Sequence, residues 1–303
     1  MEISQFTQRF MQIEEELGLF RVTDSLSFPW WDAVRYHVQK LVFPHLVQAP
    51  APVAAGTPPL PERLRNLVER LRLRCLLNLR AVFLRHDVLA FRSPRIVREG
   101  RRSDIALDHL LPLCPGRHLV IDSSPHRYDR SFSKPSQLAP RPPGLERIEA
   151  EIEKAFGIAI DLDTFVRHRL HDFERSYRRY RWLLRRVKPK LVLLSQDGIQ
   201  KGLFRALRES GTPCVEVQHG LINASHPAYG YPRSVSGDGL SMFPDVLFAF
   251  SAFWIKGCHY PARSHVAVGN DNFVPKTGAE GTSGDDILVI AAGAFQTTKP
   301  SDL

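Results

Sequence analysis

His219 closes a short apolar run, Pro213-Cys214-Val215-Glu216-Val217-Gln218-His219-Gly220. An imidazole titrates near neutral pH, so at a strand end it can act as a general acid or base. The two-residue period of a strand puts Glu216 on the same face as Gln218 and leaves His219 at the rim. Gly220 is read as the residue that lets the backbone turn sharply after the imidazole. His226 and Tyr229-Gly230-Tyr231 follow within one loop. A second apolar run, Leu191-Val192-Leu193-Leu194, ends in Ser195-Gln196-Asp197-Gly198. Ligands of open α/β sheets collect outside the carboxyl ends of the strands. Gln196 and Asp197 are therefore expected to line one cleft with His219. Such a set suits a polar substrate rich in hydroxyl groups.

Other constellations are weaker. Asp161-Leu162-Asp163 has the look of a metal-binding triad, but it reads better as the end of one segment and the cap of the next helix. His118, Asp122, His126 and Asp129 match no defined metal spacing. Residues 198–202 lack the Lys-Ser/Thr ending of a phosphate loop. Trp30-Trp31 reads as core packing, with a sugar or lipid platform as the functional alternative. Cys75, Cys114, Cys214 and Cys258 are far apart in sequence, as expected of reduced thiols in a cytosolic protein.

The elements that must position these residues are legible from periodicity. Apolar residues at helical spacing over 3–18, and again over about 31–46 behind Ser27-Phe28-Pro29, predict two N-terminal helices. A Pro/Ala/Gly loop covers 49–61, and a basic helix is expected over about 62–85. From residue 87, short apolar runs alternate with helical segments. Strands are expected at 88–91, 118–121, 190–194, 214–218, 246–250 and 265–268, with helices at about 144–156, 163–187, 198–210 and 251–258. This alternation predicts an α/β fold: a Rossmann-like, mostly parallel sheet with helices on both faces, preceded by N-terminal helices. Three regions are expected: a helical region over 1–86, a Rossmann-like domain over 87–277, and, over 278–303, a linker with the first strand of a truncated second domain.

With 43% hydrophobic and 24% charged residues the chain has the composition of a globular protein, and no apolar run reaches the length of a membrane span. The net charge of +9 is concentrated in arginines at 63–85 and 167–186. These are read either as solvated helix faces or as an anionic-membrane-facing surface. Anionic substrate binding stays open, and no nucleic-acid motif accompanies the charge. The stripe Phe165, Leu170, Phe173, Tyr177 and Leu184 is expected to face inward from the long helix.

Phe28-Pro29-Trp30-Trp31-Asp32-Ala33-Val34-Arg35 resembles the W-D-x-x-R opening of bacterial surface-polysaccharide biosynthesis proteins. Glu216-Val217-Gln218-His219-Gly220, with His226 and Tyr229-Gly230-Tyr231-Pro232, resembles their E-x-Q-H-G … H … Y segment. Pro244-Asp245-Val246-Leu247 to Phe253-Trp254, and Val268-Gly269-Asn270, resemble the pieces that follow. These proteins are similar to glycosyltransferases of the GT-B type, in which two Rossmann-like domains face each other across a cleft. The His-Gly turn also resembles the Trp-His-Gly element of teichoic-acid glycerophosphotransferases. Gln218 stands in place of that tryptophan, which favours the sugar-transferring branch.

The resemblance implies a glycosyltransferase, or its N-terminal, acceptor-side half, in surface polysaccharide biosynthesis. A nucleotide sugar would be the donor and a growing, lipid-linked glycan the acceptor. In that reading His219 and Glu216 are catalytic, and Gln196, Asp197, Gln218, Gly220, His226 and Tyr229 bind substrate. No metal and no cofactor is required. The implied location is cytoplasmic, at the inner face of the cell membrane, with no nucleic-acid partner. The alternative is a non-catalytic glycan-binding or assembly protein derived from such an enzyme.

Overall fold

The computed structural model describes residues 2–21, 28–46, 85–93, 96–98, 101–122, 138–195, 200–236 and 242–269. Two helices open the chain, α1 (Ile3–Glu16) and α2 (Trp30–Leu46). Strand β1 (Val88–Arg92), a hairpin of β2 (Ile96–Arg98) and β3 (Arg101–Ser103), and β4 (His118–Asp122) follow. Then come α3 (Leu145–Phe156), α4 (Leu162–Val187), β5 (Leu191–Leu194), α5 (Lys201–Ser210) and β6 (Cys214–Val217). The last described elements are β7 (Val246–Ala249), α6 (Ala252–Lys256) and β8 (Ser264–Ala267). The expected basic helix at 62–85 falls almost wholly outside the described residues, and so does the expected linker and strand over 278–303.

Six strands form one sheet in the order β4-β1-β5-β6-β7-β8, and every pairing in it is parallel. Local chemistry sets the ends of the helices between them. The Asp161 carboxylate accepts the Thr164 backbone N–H at 3.1 Å, which caps α4 as its sequence suggested. Lys188 ends that helix in the left-handed conformation, immediately before Pro189. The α4 residues Leu170, Phe173, Tyr177 and Leu184 are buried as expected, and Phe165 is half-buried against the same core.

Strand order explains how the layers are filled. Only the β1→β4 step runs one way across the sheet; every later step runs the other way. Crossovers of one hand place all connections of one direction on one face. Accordingly α1 to α5 share a core with Leu89, Phe91, Leu119, Ile121, Val192, Leu194 and Cys214. The opposite face, with Val88, Ala90, Leu193, Val215 and Val217, packs against Ala106, Leu107 and Leu111. The connection from β1 to β4 carries the β2–β3 hairpin and then a series of turns ending in a short 3-10 helix, Leu111–Leu113. The expectation of helices on both faces is therefore corrected: among the described residues the α-helices gather on one face.

Candidate functional site

The topological switch lies between β1 and β5, where the strand order reverses. Its mouth is closed by Asp104. This buried carboxylate accepts the Ser93 backbone N–H at 2.6 Å and the Ser195 hydroxyl through Oδ2, and the N–H groups of Ala106 and Leu107 at 2.9 and 3.1 Å through Oδ1. Asp104 thus ties the carboxyl ends of β1 and β5 to the turn that covers the second face. Sequence reasoning missed it, although an aspartate directly before a turn was the available signal. Gln196 and Asp197, expected to share a cleft with His219, lie outside the described residues.

One strand over, β6 carries the other candidates. Register pairs Glu216 with Leu194 on one side and Leu247 on the other, so its side chain points into the helical layer. Glu216 is fully buried there and accepts two phenolic hydroxyls, Tyr229 at 2.5 Å and Tyr260 at 2.8 Å. Gln218, also fully buried, donates through Nε2 to the Gly220 carbonyl and accepts the Phe250 N–H through Oε1, both at 2.8 Å. Its amide clamps the His-Gly turn to the end of β7. Gln218 therefore positions the turn and is placed too deep to line an open site.

His219 is half-buried, with Nδ1 3.5 Å from the Tyr229 hydroxyl, at the outer limit of a hydrogen bond. Tyr229 gives its proton to Glu216, so a hydrogen bond across this contact requires an Nδ1–H. That tautomer makes Nε2 the basic nitrogen. Glu216 thus reaches His219 through Tyr229. Gly220 is exposed, has no left-handed φ and has open space where a side chain would stand. The turn itself does not demand a glycine, which corrects the sequence reading; its effect is to leave room beside the imidazole. Exposed Leu221 and, on α6, exposed Phe253 add an apolar rim at the same carboxyl edge of the sheet.

The loop over 222–235 is held by the N-terminal helices. Arg35, fully buried on α2, donates to Glu14 on α1 at 2.6 and 3.0 Å, to the Pro227 carbonyl at 2.9 Å and to the Gly230 carbonyl at 2.7 Å. Its guanidinium also lies 4.2 Å from the centre of the Tyr231 ring. Glu14 further accepts the Trp31 indole N–H at 2.8 Å; burial pushes its carboxyl above the usual range, and Arg35 opposes that shift. Tyr231 donates to Asp32 at 2.8 Å, and Lys201 reaches the Tyr231 hydroxyl at 3.0 Å and Asp32 at 3.3 Å. Gly230 passes so close to Ala224 that a Cβ there would come within 2.0 Å of its carbonyl oxygen. Trp30 and Trp31 are core residues, each about 1% exposed. The three consecutive residues 229–231 are therefore anchored to β6, to Arg35 and to the Asp32–Lys201 pair.

No known protein family, characterised protein or solved structure matches this chain. The Asp32 and Arg35 of the first motif and the Glu216, Tyr229 and Tyr231 of the second nevertheless meet in one buried network. Among the described residues no cluster of three or more His, Cys, Asp or Glu side chains could hold a metal ion. None of their helices is long and apolar enough to cross a membrane. A cavity of about 420 Å³ lies elsewhere, lined by Glu149, Ile152 and Glu153 of α3, by residues 158–161 and by Leu162 at the start of α4. Its Glu149 already accepts the backbone N–H groups of Leu162 and Asp163, so it forms no part of the His219 constellation.

His226 accepts the Ala228 N–H through Nδ1 at 3.2 Å, and its ring lies 5.0 Å from that of Tyr229. Burial, reinforced by Lys40, lowers its pKa to about 4. Burial, with Arg169 and Lys40, lowers that of His37 on α2 to about 3. Both rings are neutral in the folded protein at neutral pH, and His226 acts as a support of its own loop. Below the ordinary histidine pKa of 6.5 the unfolded chain takes up protons that these folded-state rings refuse. Stability contributed by each is present above that pH and is lost as pH falls toward 4, by at most roughly 3 kcal/mol per ring. Urea midpoints between about pH 7 and pH 4.5 should fall accordingly, and His37→Gln and His226→Gln should each flatten the decline. A decline equally steep in both variants would contradict the assignment.

Proposed function

We propose that this chain is the acceptor-side part of a glycosyltransferase of the GT-B type, acting in surface polysaccharide biosynthesis. The observation that carries the reading is the half-buried His219 at the carboxyl edge of a parallel sheet, with Nδ1 facing a tyrosine whose hydroxyl is held by buried Glu216. In the reaction, His219 Nε2 takes the proton of an acceptor hydroxyl. That oxygen bonds to the anomeric carbon of the donor sugar while the bond from that carbon to the diphosphate breaks, and the nucleoside diphosphate leaves. Tyr229 and Glu216 hold the imidazole in the basic tautomer, and Gln218 fixes the turn that presents it. Leu221 and Phe253 offer apolar surface to a sugar ring or to the lipid end of an acceptor.

The test is sugar transfer from a panel of nucleotide sugars to glycan acceptors, with calorimetric titration of the same donors. Donor binding and transfer are expected. Glycan binding with neither donor binding nor transfer would support the second reading, a non-catalytic glycan-binding or assembly protein. That reading draws on the deep burial of Glu216, Gln218 and Tyr229, which leaves exposed Gly220 and half-buried His219 and His226 as the candidate residues nearest solvent among those described.

A further inference from the structure

The outer side of α4 carries exposed Arg175, Arg178, Arg179, Trp182, Arg185 and Arg186. At about 100° per residue these six fall within an arc of about 120°, with Trp182 at its middle and roughly opposite the buried stripe. They extend over about 17 Å of helix. Trp182 is 41% exposed, although tryptophan is usually withdrawn from water. No acidic residue falls on the arc. The nearest acids lie just outside its edges: Asp172 faces Arg169 at 3.9 Å, and Glu174 faces Arg178 at 2.9 Å and Arg205 at 3.9 Å. The Arg178 side chain is 74% exposed even with that partner. Exposed Lys188 extends the basic surface past the end of the helix.

We infer that this ridge is a docking surface for an anionic lipid bilayer. A helix with an indole at its crest and arginines on either flank matches the interfacial geometry. The indole enters the headgroup boundary, and the long arginine stems let their guanidinium groups stay among the lipid phosphates. With a single apolar residue at the crest, attraction is mainly electrostatic and therefore salt-sensitive. The inference concerns the outer surface of the helical layer and does not depend on the His219 chemistry.

The experiment is sedimentation of the full chain with vesicles of phosphatidylcholine alone, or with about one-third phosphatidylglycerol. Binding is expected only to the anionic vesicles, at about 50 mM salt, and is expected to be lost at about 500 mM. Arg178→Glu with Arg185→Glu should lower the partition coefficient by roughly 30-fold or more. Trp182→Ala should lower it several-fold and keep the salt dependence. The fluorescence difference between wild type and Trp182→Ala should shift to the blue on anionic vesicles alone. Because all three positions are exposed, thermal melts should be unchanged. Equal sedimentation of the arginine variant, or no spectral shift, would overturn the proposal. So would tighter retention on duplex DNA than on anionic vesicles at the same salt, which would reassign the ridge to nucleic acid.

Discussion

Arg35→Ala is expected to destabilise the protein by about 3–5 kcal/mol, the cost of removing one partner from a buried ion pair. The loss compounds because the two carboxylate oxygens of Glu14 and the carbonyls of Pro227 and Gly230 all lose a donor, in places water reaches poorly. A domain of ordinary stability has only about 5–15 kcal/mol in total, so a drop in melting temperature on the order of 10 °C, or failure to fold, is expected. The informative comparison is Glu14→Leu with Arg35→Met. With both charges gone, the double variant should recover much of the loss, because a buried pair often does no more for stability than well-packed apolar side chains. A melt of Arg35→Ala within about 1 kcal/mol of wild type would mean that the pair is hydrated and not a closed core element.

His219→Ala should act in the opposite way, leaving the melt almost unchanged while reducing sugar transfer. A general base contributes about 100- to 10,000-fold to turnover, whereas a partly exposed turn residue typically costs under about 1 kcal/mol when removed. Tyr229→Phe separates the roles further. It keeps the packing but removes the hydroxyl between Glu216 and the imidazole. Its effect should be smaller in turnover and visible in the pH profile, because the imidazole then loses the contact that sets its tautomer. Transfer unchanged in His219→Ala, or activity and melting falling together, would make His219 a structural turn residue.

The six sheet strands were legible because their apolar runs are short and bounded by turn residues; β1, β5 and β6 are also buried on both faces, as inner parallel strands are, whereas the edge strands β4 and β8 expose Val120 and Val266. Residues 96–98 and 101–103 escaped notice: two three-residue strands that include Arg98, Arg101 and Arg102 carry no apolar period. The period of two placed Glu216 and Gln218 on one face, yet it could not show what met them there. Tyr229 and Tyr260 lie 13 and 44 residues further along, and Gln218 takes Phe250, 32 residues away. Arg35 likewise stood in a recognisable motif while its partners were spread from Glu14 to Gly230. Local propensity identifies elements; the identity of a buried polar partner belongs to tertiary packing.

The span of that last network bears on how the chain is made. Arg35 and the Gly230 carbonyl are 195 residues apart, and Asp32 and the Tyr231 hydroxyl 199. At the usual translation rate of about 5–20 residues per second, α1 and α2 leave the ribosome roughly 10–40 seconds before the Gly230 carbonyl and the Tyr231 hydroxyl exist. During that interval Arg35 has Glu14 as a partner, but its remaining donors and the Asp32 carboxylate have only water. Full pairing of these groups requires the loop after β6, so the packing of α1 and α2 is expected to be completed only after that loop has been made.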